Sequence, residues 1–405
     1  MPHTVVLLGT LDTKGEEYRF VRDRLHEAGL ETIVIDVGVL GEPAFAPDLD
    51  RHAVALAGGG DATELVVRGD RGSALAVMAR GAEALVAELH AAGRIQGALA
   101  LGGTGGTSLA AAAFRQLPVG FPKLIVSTAA SGDTAQYVGE TDLVLAPSIV
   151  DIAGLNRISL AVLANGAAAL AGMVLASPVP PRELRPLVAA SMFGVTTPCV
   201  TRARERLEEL GYEVVVFHMT GSGGRAMESL IRQGFFAGVL DLTTTELADE
   251  LVGGVFDAGP TRLTAAADAG VPQVVSVGAL DMVNFGAPDT VPTRFEGRTL
   301  HVHNASVTLM RTTAEETAEL GDRLAARIRP AGSAATVILP LRGVSAIAVE
   351  GAPFSSPEAD AVLLERIRSG LAGSPVGLVE LDTDINDPAF ADRAVELLHA
   401  AITAR

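Results

Sequence analysis

Apolar residues fall along this chain in two repeating patterns. Short, mostly apolar runs at 4–8, 32–37, 95–101, 123–127 and 143–145 alternate with longer stretches in which apolar positions recur every three or four residues, such as Phe20, Val21, Leu25 and Ala28 ahead of Gly29. Such a run suits a strand buried on both faces of a parallel sheet. The 3.6-residue recurrence suits a helix with one buried side. Residues 72–92, the alanine-rich segment 109–113 and residues 158–176 read as further helices. The alternation pauses at 176–186, where four prolines mark a linker. It then restarts, with strands predicted at 187–192, 213–217, 238–240, 273–277, 299–302, 335–339 and 376–380. Helices are predicted at 197–210, 313–328, 358–369 and 388–403, with Pro198 in the first turn of the first of these.

Strand–helix alternation in both halves predicts an α/β chain of two domains, 1–180 and 187–405. Each is expected to be a mostly parallel sheet flanked by helices and joined by right-handed crossovers. Ligands of such sheets sit beyond the carboxyl ends of the strands. The glycine- and hydroxyl-rich loops of this chain fall at those predicted ends in both halves.

A length of 405 residues agrees with two cores rather than one. Hydrophobic residues make up 48% and charged residues 20%, which excludes a disordered chain. The formal net charge is −17 and no basic run occurs, so neither nucleic acid nor an anionic membrane surface is an expected partner. Cys199 is the single cysteine; no internal disulfide is possible, which fits a reducing cytoplasm. The first residues lack the basic-then-apolar pattern of a signal peptide. Residues 158–176 are almost uncharged, but they are mostly alanine and contain Ser159, Asn165, Gly166 and Gly172. That composition predicts a buried helix between packed surfaces rather than a membrane span.

The densest chemistry lies after the run at 95–101, where Gly102, Gly103, Thr104, Gly105, Gly106 and Thr107 lead into the alanine-rich helix. Glycines let backbone amides approach a ligand closely. A helix start adds unpaired N–H groups and a favourable dipole, so the loop reads as an anion cradle rather than a plain turn. It is neither a P-loop nor a dinucleotide fingerprint. The loop after the first strand carries Thr10, Asp12, Thr13, Lys14 and Gly15. Lys14 can reach phosphate oxygens, and Asp12 with the hydroxyls can hold Mg2+, a cation that prefers oxygen ligands. The alternative is a helix cap at Asp12 or Thr13. Asp36 stands at a strand end where dinucleotide folds place a ribose-binding acid. Ser127, Ser131 and Gly132 lie in a loop that either closes over a nucleotide or simply turns the chain.

The second half offers a further cradle candidate in His218, Thr220, Gly221, Gly223 and Gly224. Asp281, Asn284, His303, Asn304 and Arg311 follow at later strand ends, and His301 and His303 are expected on one strand face. Such a set suits acid–base chemistry on a bound substrate. The candidate assignment is His218, Asp281 and His303 as acid–base groups, with Thr220, Gly223, Gly224, Asn284, Asn304 and Arg311 holding the substrate. A zinc site is disfavoured, since only His301 and His303 are closely spaced and no cysteine joins them.

Five stretches together carry a resemblance. They are Gly9-Thr-Leu-Asp-Thr-Lys-Gly15, Gly102-Gly-Thr-Gly-Gly-Thr107, His218-Met-Thr-Gly-Ser-Gly-Gly-Arg-Ala-Met-Glu228, Gly278-Ala-Leu-Asp-Met-Val-Asn-Phe-Gly286 and His303-Asn-Ala-Ser-Val-Thr-Leu-Met-Arg311. In this order the chain resembles the nucleotide-binding region of the tomato mosaic virus resistance protein family and its bacterial relatives, over essentially its full length. The resemblance implies two Rossmann-like subdomains, ATP held by the loops at 9–15 and 102–107, and homodimers or higher homo-oligomers. The resulting expectation is an ATP- and Mg2+-binding protein that acts on a small anionic molecule held by the second half. The rival is a nucleotide-responsive dimeric scaffold without catalysis. A metal-dependent hydrolase or lyase confined to the second half is a third reading.

Overall fold

The computed structural model describes residues 3–68, 70–176 and 184–405. Residues 177–183 of the proline-rich linker lie outside them. The chain divides into two compact units, 1–180 and 181–405. The two-domain α/β architecture expected from the apolar pattern, and the Rossmann-like form that the resemblance implies, are the observed ones.

The first unit is built on five parallel strands: β1 (Thr4–Gly9), β2 (Glu31–Asp36), β3 (Gly97–Gly102), β4 (Lys123–Ser127) and β5 (Val144–Pro147), in the order β2-β1-β3-β4-β5. All six residues of β3 and five of the six in β1 are buried, which is why these runs carry no polar alternation. One face packs on the helices Arg51–Ala57, Arg71–Ala91 and Thr104–Phe114; the other packs on Leu11–Glu27 and Arg157–Leu175. Arg157–Leu175 is the helix among the described residues that is long and apolar enough to cross a membrane by length and composition. Leu163, Ala167, Leu170 and Val174 on one side of it are buried in the core, and Gly166 lets it settle on Val126. Its other side is not covered: Ile158, Leu160, Met173 and Leu175 are exposed. Of the two packed surfaces expected against this helix, the unit itself supplies one.

The second unit has a six-stranded parallel sheet formed by β6 (Leu187–Met192), β7 (Glu213–His218), β8 (Gly238–Thr243), β9 (Gln273–Gly278), β13 (Ala335–Pro340) and β14 (Gly377–Leu381), in the order β7-β6-β8-β9-β13-β14. Between β9 and β13 the chain inserts a three-stranded antiparallel sheet of β10 (Met282–Phe285), β11 (Leu300–Asn304) and β12 (Val307–Arg311), ordered β10-β12-β11. Residues 278–286 read as a loop in the sequence because β10 is four residues long and buried on both faces, too short to show a period.

Both parallel sheets reverse direction at the same place. The order β2-β1-β3 in the first unit and β7-β6-β8 in the second each put a topological switch between the unit's first and third strands. The crevice outside those carboxyl ends is where a doubly wound sheet takes its ligand.

Candidate functional site

In the first unit that crevice is an open cavity of about 490 Å3. β1 and β3 part at its floor, and Tyr18 fills the gap. Its buried hydroxyl accepts from the Leu101 amide at 2.7 Å and donates to the Leu8 carbonyl at 2.6 Å, taking over where the ladder between the strands ends. Gly9 makes room for it, because a Cβ there would lie 1.9 Å from the phenol oxygen. Gly102 is less tight but still close, since its Cβ would press on the backbone of Gly106 and Thr107 at 3.1 Å. These two glycines bring strand ends and helix starts close together, and that proximity shapes the cavity.

The cavity has two kinds of wall. Val37, Val39, Leu40, Ala74, Leu75, Met78 and Leu109 form an apolar side. Gly9, Thr10, Asp12, Thr13, Lys14 and Gly102 through Gly106 form a polar side. The helix Thr104–Phe114 begins at Gly103 with no side-chain cap, so its first amides meet the cavity without an internal acceptor. Asp12 Oδ2 accepts from the Leu40 and Gly41 amides at 2.7 and 3.1 Å, while its Oδ1 is buried and has no hydrogen-bond partner. A buried carboxylate oxygen is rarely left this way unless something else completes it. Thr13 donates its hydroxyl to that of Thr10.

Lys14 lines the same wall, where the helix Leu11–Glu27 departs from helical geometry, and its ammonium reaches the Ile152 carbonyl. It is one of two lysines among 31 basic residues. The other, Lys123, is fully buried and held by Pro118, Phe121 and Asp142.

Other first-half candidates act behind this surface. Asp36 is fully buried; its Oδ1 accepts the Leu11 and Gly38 amides at 3.0 and 2.9 Å, and burial raises its pKa. It ties the β1 and β2 loops together rather than facing a ribose, which corrects the role expected for it. Thr107 and Ser127 are also fully buried and share a 2.6 Å hydroxyl–hydroxyl bond that locks the β3 and β4 loops. Gly15 packs on Ala44. Ser131 borders a separate concavity with Thr128, Ser148 and Asp151, and Gly132 ends the short turn before it.

The second unit does not bring its candidates to one mouth. The amides of Gly221 and Gly224, the supposed cradle, donate to Glu246 Oε1 at 2.7 and 3.1 Å. Gly224 is needed because its Cβ would sit 1.9 Å from Glu246 Oε2, and a Cβ on Gly223 would strike the His218 carbonyl. The Gly221 and Gly224 amides are thus taken by an internal carboxylate rather than left free for substrate. Burial raises the Glu246 pKa, and the Arg262 guanidinium opposes that shift. Arg262, itself 1% exposed, also grips Asp241 with two nitrogens and reaches Glu228. At the switch point Thr196 and Thr243 join hydroxyls at 2.8 Å, and the Thr243 amide donates to Ser191.

The remaining assignments shift as well. Asp281 is fully buried against Ser345, and burial pushes its pKa up to about 6; it does not reach the exposed surface where His218 and His303 stand. Arg311 is spent on Asp360, the Phe354 carbonyl and Thr312, and so is not a free clamp. Asn284 is fully buried and bonds Asp249, whose pKa burial pushes up to about 7. Asn304 accepts the Ser306 amide at the β11–β12 turn, and Thr220 donates to the His218 carbonyl. Pairing of Val302 with Thr308 and of Asn304 with Val307 leaves His303 in a bulge, which breaks the alternation that would align it with His301. His218 packs on Phe193 and His303 stands beside Gly194, so these two border one turn. Among the described residues no three His, Cys, Asp or Glu side chains converge as a metal cage. The Asp12 wall still suits Mg2+, which takes one or two carboxylates together with phosphate oxygens and water.

The sequence profile described as "Uncharacterised protein family (UPF0261) N-terminal domain" matches residues 3–178, and its C-terminal counterpart matches residues 185–402. The chain belongs to this family. It is 51% identical to a UPF0261 protein of Clostridium tetani over 96% of this chain and 97% of that protein. A family member of Rhizobium meliloti is 44% identical over the same shares. The ToMV resistance protein Tm-1 (GCR237) of Solanum lycopersicum is 41% identical over 97% of this chain but 55% of its own length. The resemblance expected from the five motifs is thereby borne out.

Tyr18 and the apolar wall went unnoticed in the sequence. Tyr18 lies on the buried side of its helix like any core aromatic, and only the parting of β1 and β3 gives it its place. The Glu246–Arg262 pair escaped because nothing in a linear pattern says which carboxylate enters a glycine loop.

Proposed function

We propose that the first unit binds ATP with Mg2+ and that the protein is an enzyme using this nucleotide on a small molecule. The observation that carries the reading is the open switch-point cavity, with an uncapped glycine-rich helix start on one side and an apolar wall on the other. Amides of Thr104, Gly105 and Gly106 would hold phosphate oxygens, with Lys14 adding a positive charge. The unpartnered Asp12 Oδ1 would hold Mg2+ directly or through its water. Val37, Val39, Leu75 and Met78 offer the base an apolar slot.

Calorimetric titration of MgATP tests this. One site per chain is expected in the native protein, and affinity at least about tenfold weaker in Gly103→Val. At Gly103 a Cβ meets only the Thr128 hydroxyl, at 3.6 Å, so that variant should fold. A native chain that binds no MgATP overturns the reading.

One observation favours a second reading, a nucleotide-responsive scaffold: the glycine loop and the arginine expected to hold a substrate in the second unit are engaged internally, by Glu246 (itself paired with Arg262) and by Asp360. On either reading the expected context is a homodimer in the cytoplasm. The exposed apolar face of Arg157–Leu175 supports the first part and the lone buried Cys199 is consistent with the second. Light scattering reads the mass directly.

A further inference from the structure

Near the Gly103 turn lies a second concavity of about 360 Å3 bounded by Thr128, Ser131, Ser148, Ile149, Val150 and Asp151. Thr128 connects the two: its hydroxyl stands 3.6 Å from where a Cβ on Gly103 would be. The loop after β5 that forms the far wall is held by the helix carrying the first polar wall. Lys14 donates to the Ile152 carbonyl, and Glu17, itself buried, accepts the Gly154 amide at 2.5 Å.

The same loop is strained where it meets solvent. Ile149 has φ of 65°, a conformation unfavourable for a β-branched residue, and it is 75% exposed. The turn is closed by the Val150 amide on the Ser148 carbonyl at 2.7 Å and by the Ser148 hydroxyl on the Val150 carbonyl at 2.6 Å. Strain of this kind is kept where the surrounding structure imposes it, and it gathers at ligand sites. The polar lining, beside Ile149 and Val150, is hydroxyl and carboxylate with no basic side chain. Such a wall repels an anion and suits a ligand that presents hydroxyl groups.

We propose that this concavity is the acceptor subsite for ATP and binds a small uncharged polyol, placing one hydroxyl beside the terminal phosphate. The inference rests on the nucleotide reading above and relocates the substrate from the second unit to the first. In the step it implies, the polyol oxygen forms a bond to the terminal phosphorus, the bond from that phosphorus to the ADP oxygen breaks, and the hydroxyl proton passes to the Asp151 carboxylate. The products are the phosphorylated polyol and ADP.

The test uses the full chain with glycerol, ribose and myo-inositol as probes. Saturation-transfer NMR reads binding, and ADP release with mass spectrometry of the sugar or polyol reads transfer. At least one probe is expected to bind saturably and to be phosphorylated. Ser131→Ala should raise its KM several-fold, and Asp151→Asn should lower kcat tenfold or more, with MgATP affinity unchanged within twofold in both. MgATP binding without saturable binding of any of the three probes overturns the subsite and leaves the nucleotide reading standing. Binding and transfer that persist unchanged in Asp151→Asn overturn the role of Asp151. A native chain that binds no MgATP removes the nucleotide reading itself.

Discussion

The two units set the same strand order around the same kind of loop and finish with opposite interiors. At the β1/β3 switch the glycine amides open on a cavity with one unpartnered carboxylate oxygen. At the β6/β8 switch threonine hydroxyls meet each other, and the neighbouring helix start is filled by Glu246, itself gripped by Arg262. A helix N-terminus attracts negative charge whatever its source. In one unit no side-chain cap meets the helix start; in the other the chain supplies the charge itself. A glycine-rich loop is therefore a sign of close backbone approach before it is a sign of a ligand.

The largest effect expected from breaking this contrast is at Arg262. Removing its guanidinium leaves Asp241 and Glu246 buried without their counter-charge and Glu228 with Arg232 as its remaining partner, so Arg262→Leu should lower stability by roughly 3–5 kcal/mol. Chemical denaturation checks it. A loss under about 1 kcal/mol would mean that the second unit is not held by its internal plug.

Next comes pH. Asp249 has its pKa pushed up to about 7 by burial, and Asp281 has its own pushed to about 6. Both lie above the ordinary carboxylate value, so the fold favours their protonated forms. That contribution is fully present below about pH 4 and is lost as pH rises through 6 and 7. Stability attributable to these groups should fall by an amount on the order of a few kcal/mol between pH 5 and pH 8. Asp249→Asn should flatten the profile, since the free Oδ1 of Asn284 can accept from the new amide after a flip. An unchanged slope in thermal melts would exclude Asp249 as its source.

A smaller effect sharpens the first unit. Lys14→Ala should weaken MgATP about tenfold, roughly 1.4 kcal/mol, with little change in stability. Amine-directed labelling followed by peptide mapping should modify Lys14, slow down with MgATP, and spare the buried Lys123. Labelling that ignores MgATP would place the nucleotide elsewhere.

The smallest effect is expected at the exposed histidines. His218→Ala and His303→Ala should change stability by no more than about 0.5 kcal/mol and leave MgATP affinity as it is. Loss of nucleotide binding in either would overturn the assignment of the ligand to the first unit.

Most of the architecture was legible along the chain. Strand β4 and the helix Pro388–Thr403 lie where the periodicity predicts them, because parallel strands and amphipathic helices write their burial into local sequence. Of the antiparallel insertion only β11 was legible, as the strand predicted at 299–302; β10 is short and buried on both faces and shows no period. The site was legible in part. Thr10, Asp12, Thr13, Lys14 and residues 102–106 do line one cavity, while Asp36, Thr107 and Ser127 share its neighbourhood but turn inward.

The order of apolar runs and their glycine-rich ends determines two doubly wound sheets and the loops at their carboxyl edges, because burial and backbone freedom are local properties of the residues. Whether such a loop stays open depends on which distant side chain arrives there. Tyr18 props β1 apart from β3, and Glu246 enters the Gly221–Gly224 turn from 22 residues beyond Gly224. Only the tertiary structure brings those partners together, since a hydrogen-bond donor is satisfied by whatever acceptor the fold places within reach.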